Sequence, residues 1–344
     1  MMSQPAIAIR PVPEDIGHRD CCDVRQRTLC KGRQNTAGLC LFTKTKYRGL
    51  PMTAMLVLGG VRIGVTSERL IEIDEWLRAY IDAEINRPDV EIFFSWDWSE
   101  ATAPKTKYIG EDVFHYYYEE PAYDFCETKG GYKGIIARTI SDKNYTKLRC
   151  YINEKPFIMT PPNLGGLLRF IPLSTPLLCR GVLTMHAAQV IYKGRGILFS
   201  GPSGGGKSTQ AALWTAYAGA QLVCADRTLL CRLTDGWESR GFPYDGSDAV
   251  RSTESFRPCC LVFVVKSMTG SPSVRRLIGK EALMRLYEQQ LCEVAGIRME
   301  QHIWDMLFAV AESLPIYLLQ TTREEESVSC LKNRLWEEGV LENE

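Results

Sequence analysis

The chain has 344 residues, enough for one large domain or two ordinary ones, and 45% of them are hydrophobic, which supplies a core. Its 41 Lys and Arg balance 41 Asp and Glu, so the composition advertises no surface for tracking nucleic acid, and nucleic acid is not expected as a partner. It contains no run of about 18 apolar residues and no apolar core near its first methionine, so neither a membrane span nor secretion is expected.

Residues 1–51 carry nine Lys/Arg against four Asp/Glu, with little periodicity. His18, Cys21, Cys22, Cys30 and Cys40 lie there, but their spacing fits no standard metal site. The segment reads as a disordered extension, or as the product of a start assigned too early. The chain's 13 cysteines include no C-x-x-C pair, and with the nucleotide motif below they point to a reducing cytoplasm rather than to disulfides.

Residues 52–162 predict a β-rich N-terminal module. "MLVLGGVRIGV", "VEIFFSWDW", "VFHYYYEE", "YDFCETKG", "GIIARTI" and "KLRCYIN" have strand composition, with Gly, Pro, Asp and Asn between them. "SERLIEIDEWLRAYIDA" is predicted to contain a helix. The aromatic run His115–Tyr118 reads as a strand with cross-strand aromatic pairs in preference to a ligand-stacking surface. "PPNLGGLLRFIPLSTPLLCRG" is predicted helical despite its prolines and links this module to residues 163–344.

Within 163–344, Val190–Tyr192 and Gly196–Phe199 predict a strand pair around "KGRG", with His186 opening the unit. By itself His186 reads as a core histidine. Ile197–Ser200 suits a buried strand, and Thr209–Tyr217 a helix. Between them Gly201, Pro202, Ser203, Gly204, Gly205, Gly206, Lys207 and Ser208 fit the pattern G-x-x-x-x-G-K-[ST] at every fixed position. That pattern needs a backbone curled around a polyphosphate with N–H groups inward. Gly201, Gly204, Gly205 and Gly206 are expected to supply positive φ and close approach. Lys207 would reach the outer phosphates, and the Ser208 hydroxyl would ligate Mg²⁺. The helix N-terminus, from Thr209, would favour the phosphate charge. ATP and Mg²⁺ are therefore the expected ligands. Leu222–Ala225 predicts a second buried strand with Asp226 at its carboxyl end, facing the same crevice, where it would hold Mg²⁺ or take a proton from a hydroxyl.

Beyond Asp226, "TLLCRL" and "WESRGF" predict a hairpin turning at Asp235–Gly236. "PYDGSDAVRSTESFR" is a candidate substrate or nucleotide loop, with Arg251 a candidate phosphate ligand. "CLVFVVKS", with Cys259 and Cys260 as small hydrophobes, predicts a core strand. "KEALMRLYEQQL" and "RMEQHIWDMLFAVAESL" predict helices, the second burying Ile303, Met306, Leu307, Val310 and Leu314, with His302 a surface or packing residue. "PIYLLQTT" and "REEESVSCLKNRLWEEG" predict a final strand and helix.

"HAAQVIYKGRGILFSGPSGGGKSTQAALW" followed by "GAQLVCADR" resembles the HPr kinase/phosphorylase catalytic domain and its kinase-like relatives, a group with features of ATP-dependent phosphoenolpyruvate carboxykinases. The resemblance spans about residues 181–230 and loosens towards 335. It implies an α/β fold: a P-loop kinase domain of the HPr kinase/phosphoenolpyruvate carboxykinase-like type, with a mixed sheet. It implies that Asp226 is the base toward a serine hydroxyl on a protein or peptide, that His186 supports it, and that Mg²⁺ lies near Ser208 and Asp226. The chain departs from the family at Arg227, where a second aspartate is expected. That change either removes a metal contact or adds a phosphate contact. The family's glycine-rich signature after the aspartates is also absent, so HPr itself is not the expected acceptor. A nucleotide-binding regulator that transfers nothing and a carboxykinase-like enzyme are the alternatives, and a homo-oligomer is compatible with either.

Overall fold

In the computed structural model, residues 52–82, 87–105, 107–119, 123–131, 134–155, 163–243, 252–292 and 297–341 are described. They build a mixed α/β arrangement of two sheets and a few helices. The cysteine-bearing segment 1–51 and residues 244–251 of the candidate loop, Arg251 included, lie outside the described residues.

The first sheet has eight strands: β1 (Met52–Leu58), β2 (Val61–Ser67), β3 (Val90–Ser95), β4 (Lys107–Glu111), β5 (His115–Glu119), β6 (Tyr123–Lys129), β7 (Ile135–Asp142) and β8 (Lys147–Ile152). Their spatial order is β1-β2-β3-β8-β7-β6-β5-β4, parallel at β2–β3–β8 and antiparallel elsewhere. The aromatic run does form cross-strand pairs: Tyr108 lies opposite Tyr118 with ring centroids 6.0 Å apart, and Tyr118 opposite Phe125 at 5.9 Å. The strand β4 that carries Tyr108 was not foreseen.

The helix predicted in "SERLIEIDEWLRAYIDA" shrinks to one 3₁₀ stretch, Glu75–Tyr80. Asp74 stands at its N-cap, but the carboxylate accepts the Gly165 N–H at 2.7 Å across the chain instead of capping its own turn. The apolar residues there pack on β-strand partners, and Leu77 and Tyr80 are buried.

Two short helices follow, α1 (Leu164–Leu168) and α2 (Ser174–Leu178), both largely buried, which agrees with the apolar helical reading of that linker. The second sheet comprises β9 (Val182–Tyr192), β10 (Arg195–Ser200), β11 (Gln221–Cys224), β12 (Arg227–Leu233), β13 (Gly236–Gly241), β14 (Ser255–Phe256), β15 (Pro258–Lys266), β16 (Ser273–Leu277) and β17 (Ile316–Thr321). Its order is β14-β13-β12-β9-β10-β15-β17-β16, with β11 also on β9. Only β10, β15 and β17 run as parallel neighbours. The β12–β13 turn is Thr234–Asp235, not Asp235–Gly236: Leu233 pairs with Gly236, which at φ +133° opens β13.

Helices cover both faces of this sheet. On one, α3 (Lys207–Ala218) and α6 (Glu326–Glu337) bury Trp214, Val328 and Leu331 against Val190, Phe199 and Val262. On the other, α4 (Gly279–Gln289) and α5 (Ile297–Ser313) bury Leu286, Ile303 and Leu307 against Leu183, Leu198 and Phe263. Ile303, Met306, Leu307 and Val310 are buried as their spacing predicts; Leu314 is half-buried and His302 exposed. Both predicted thiols, Cys259 and Cys260, are buried in β15.

One apolar cluster joins the sheets, with Leu58, Ile63 and Phe94 of the first meeting Val182, Leu229 and Cys231 of the second. Gly59, at φ +59°, sits at the contact, where a Cβ would lie 2.8 Å from Val182 Cγ1 and 2.9 Å from Cys231 Sγ. Among the described residues no helix is long and apolar enough to cross a membrane.

Candidate functional site

The site grows from the β9–β10 hairpin. Ser200, the last residue of β10, pairs with Ala187, so the glycine-rich segment leaves the sheet beside His186. The Ser200 hydroxyl donates to the His186 carbonyl at 2.9 Å and fixes that exit. Residues 201–206 then curl into α3. Gly201 (φ +141°), Gly204 (φ +71°) and Gly206 (φ +113°) occupy the left-handed side of backbone space. Gly205 does not, which corrects the expectation that all four glycines supply positive φ. It is a glycine for want of room, since its Cβ would meet Pro202 O at 2.9 Å and Val264 O at 3.2 Å.

The helix starts at Lys207, two residues earlier than predicted, so Lys207, Ser208 and Thr209 form its first turn. Gly206 at its N-cap has no side chain to cap the turn, so the first-turn N–H groups have no side-chain partner at the cap. The positive end of the helix dipole therefore faces the loop. Pro202, Ser203 and Gly204 at the loop tip are exposed, as are Ser208 and Thr209. Lys207 is only 6% exposed. Its ammonium donates to Gly201 O at 2.9 Å and Pro202 O at 3.2 Å. Burial pushes the Lys207 pKa down and the nearby Asp226 charge opposes that shift.

Asp226 does not sit at the end of a parallel strand. Strands β11 and β12 both run antiparallel to β9, one after the other along the same edge. Gln221, Leu222 and Cys224 pair with β9 residues Ile191 to Gln189; pairing resumes at Arg227 opposite His186. Ala225 and Asp226 fall in the break, and the chain bends there. The break turns the carboxylate onto His186, whose Nε2 lies 2.9 Å from Asp226 Oδ1. The Ser208 hydroxyl donates to Ala225 O at 3.3 Å, tying the first turn of α3 to the same break. The first turn of α3 and the His–Asp pair are therefore neighbours.

The hydrogen bond from His186 holds the Asp226 pKa below the usual carboxylate range; partial burial works against it, and the charges of Arg227 and Lys207 add to the lowering. Arg227 Nε stands 3.6 Å from Asp226 Oδ2. A carboxylate ionised at neutral pH, an imidazole on one oxygen and a cation near the other can receive a proton and stabilise negative charge developing beside them.

Among the described residues no group of three or more His, Cys, Asp and Glu could hold a metal ion. A divalent ion here would draw on two protein oxygens, the exposed Ser208 hydroxyl and the Asp226 carboxylate, with phosphate oxygens and water completing its shell. That sparse donor set fits Mg²⁺, which keeps several waters, and does not fit Ca²⁺.

Two contributors were not visible in the motif. Val264, on β15, closes over the loop: its carbonyl lies 2.8 Å from where a Gly201 Cβ would be. Gln210, fully buried, donates through Nε2 to Thr321 Oγ1 at the end of β17 and anchors α3 from behind. Both depend on strands more than 50 residues downstream in the sequence, so no local pattern marks them.

No protein-family model matches the chain, and no curated protein matches it. Among solved structures, the Hpr(Ser) kinase/phosphatase from Coxiella burnetii is similar at 14% identity over 45% of this chain and 98% of its own, with a TM-score of 0.28. At that score no common fold is established.

Proposed function

We propose that the chain is an ATP-dependent phosphotransferase of the HPr-kinase-like type that phosphorylates a hydroxyl, a serine on a protein or peptide being the acceptor that the family resemblance implies. The observation that carries this reading is the 2.9 Å hydrogen bond between His186 and Asp226, placed at the exit of a glycine-rich loop that matches a nucleotide-binding pattern. A phosphate cradle alone would serve a regulator equally well. An oriented, ionised carboxylate next to it supplies the base that transfer to a hydroxyl requires.

In this reading, backbone N–H groups of Ser203, Gly204 and Gly206 and those of the first turn of α3 bind the triphosphate. Lys207 exchanges its carbonyl partners for the outer phosphates. Ser208 and Asp226 would hold Mg²⁺, which neutralises phosphate charge when bound. Asp226 takes the acceptor proton as the hydroxyl oxygen bonds to phosphorus and ADP leaves, while His186 keeps the carboxylate oriented. Most of the rate gain would come from positioning and electrostatics.

The test is phosphoryl transfer from labelled ATP by the full chain to proteins of its own source extract, beside Asp226→Asn and Lys207→Ala. Asp226→Asn should slow transfer by about 10²- to 10⁴-fold while still binding nucleotide, and Lys207→Ala should lose binding itself. Wild-type transfer by both variants would refute the assignment. Nucleotide binding by the wild type with no labelled acceptor would favour the regulator.

A further inference from the structure

Arg227 has no part in the steps above, yet its place is well defined. It opens β12 and lies directly opposite His186. Residues opposed in an antiparallel pair project from the same face of the sheet, so guanidinium and imidazole share a face. Its Nε is 3.6 Å from Asp226 Oδ2 and its side chain is 38% exposed. Among the described residues, that ion pair is its one side-chain partner. The neighbouring cation on this face, Arg240 of β13, is already bound to Glu238 at 2.5 Å.

Strand order decides which reactant Arg227 meets. The sheet runs β10-β9-β12. The glycine-rich loop leaves β10, His186 stands on β9 and Arg227 on β12, so His186 stands between the strand that the loop leaves and the strand that carries the guanidinium. A phosphoryl donor held in the loop reaches Asp226 from the β10 side. The attacking oxygen lines up opposite the leaving group and comes from the other side, where Arg227 waits. Nε faces Asp226, and the planar fork of a guanidinium matches carboxylate or phosphate oxygens in pairs.

Resting on the phosphotransferase reading, we infer that Arg227 binds an anionic group of the acceptor. The acceptor is then a hydroxyl compound, or a serine-containing chain, with a carboxylate or phosphate close to the hydroxyl. Arg227 sets this specificity, and the family's second aspartate would repel the same acceptor.

The experiment loads the full chain with Mg²⁺ and a non-hydrolysable ATP analogue, so that the γ-phosphate position is filled. Calorimetry then follows titration with inorganic phosphate, with glycerate, and with glycerol as the neutral control. An anion should bind the loaded wild type and glycerol should not; whichever of phosphate or glycerate binds more tightly identifies the group. Arg227→Ala should weaken that binding by roughly tenfold or more, and Arg227→Lys should restore part of it. The analogue itself should bind Arg227→Ala within about threefold of wild type, because the guanidinium lies on the acceptor side. The inference is overturned if neither anion binds the loaded wild type, if Arg227→Ala binds them equally well, or if that variant loses its grip on the analogue. A wild type that fails to bind the analogue in the first titration instead defeats the phosphotransferase reading itself.

Discussion

Gly205→Ala tests whether β15 dictates the shape of the glycine-rich loop. The Gly205 backbone is not left-handed, so an alanine there carries no left-handed strain. The added methyl would instead sit 2.9 Å from Pro202 O and 3.2 Å from Val264 O. Both are backbone atoms that cannot swing aside. Relief requires breaking the Gly205 N–H to Pro202 O bond, now 3.0 Å, or lifting the loop off β15. Overpacking of this kind costs about 1–3 kcal/mol. If the cost falls on the phosphate-binding shape, nucleotide affinity drops by about 5- to 150-fold. Gly204→Ala is the control. Gly204 has φ +71° with nothing within 4 Å of its Cβ position. An alanine there costs about 1–2 kcal/mol of left-handed strain, partly offset by about 0.4–1 kcal/mol from a less flexible unfolded chain. It displaces no neighbour, so binding should fall by less than about tenfold. Calorimetric titration of the full chain with a non-hydrolysable Mg-ATP analogue, alongside thermal melts, reads both effects. If Gly205→Ala binds as well as wild type, or if Gly204→Ala loses more, β15 does not shape the loop.

Two further outcomes concern the fold. Trp214 is fully buried in α3 and packs edge-on to Tyr192, with centroids 5.4 Å apart; Trp214→Ala should cost about 3–5 kcal/mol, read as a lower denaturant midpoint with unchanged slope, and a loss under about 1 kcal/mol would show that α3 is not held by this contact. Asp112 tests pH linkage: burial raises its pKa, but hydrogen bonds from His115 and Tyr117 and the Phe114 amide outweigh that and bring it down to about 2. Because the folded value lies below the unfolded one, its contribution is complete above about pH 4 and disappears as pH falls towards 2. The drop from 3.8 to about 2 would correspond to about 2 kcal/mol, but the side chain is 39% exposed, which reduces the expected effect to about 1 kcal/mol. Asp112→Asn should melt lower than wild type at pH 7, with the gap closing below pH 4. A gap that persists at pH 2 would contradict the linkage.

The nucleotide motif, the strands flanking it, the amphipathic helices and the buried cysteine pair of β15 were all legible along the chain. Each rests on local physics: glycines where backbone must curl, alternation on half-buried strands, and a 3.6-residue period on helices. Misreadings came where a partner far along the chain redirected a local preference. The helix expected around Glu75 lost its cap because Asp74 serves Gly165. Residues 107–111 and 273–277 became edge strands through pairing with β5 and β17, although their own composition gave no strong signal.

The sequence by itself therefore determined that a curled glycine-rich loop matching the nucleotide-binding pattern joins a strand to a helix, and that His186 and Asp226 flank it. That follows because backbone curvature and side-chain chemistry are written residue by residue. Tertiary structure alone decided how those residues meet. Pairing of β11 and β12 along β9 leaves a two-residue break that turns Asp226 onto His186, β15 crowds the loop through Val264, and β12 places Arg227 opposite His186. Such placements depend on hydrogen-bond register between strands distant in sequence, and no local pattern encodes that register.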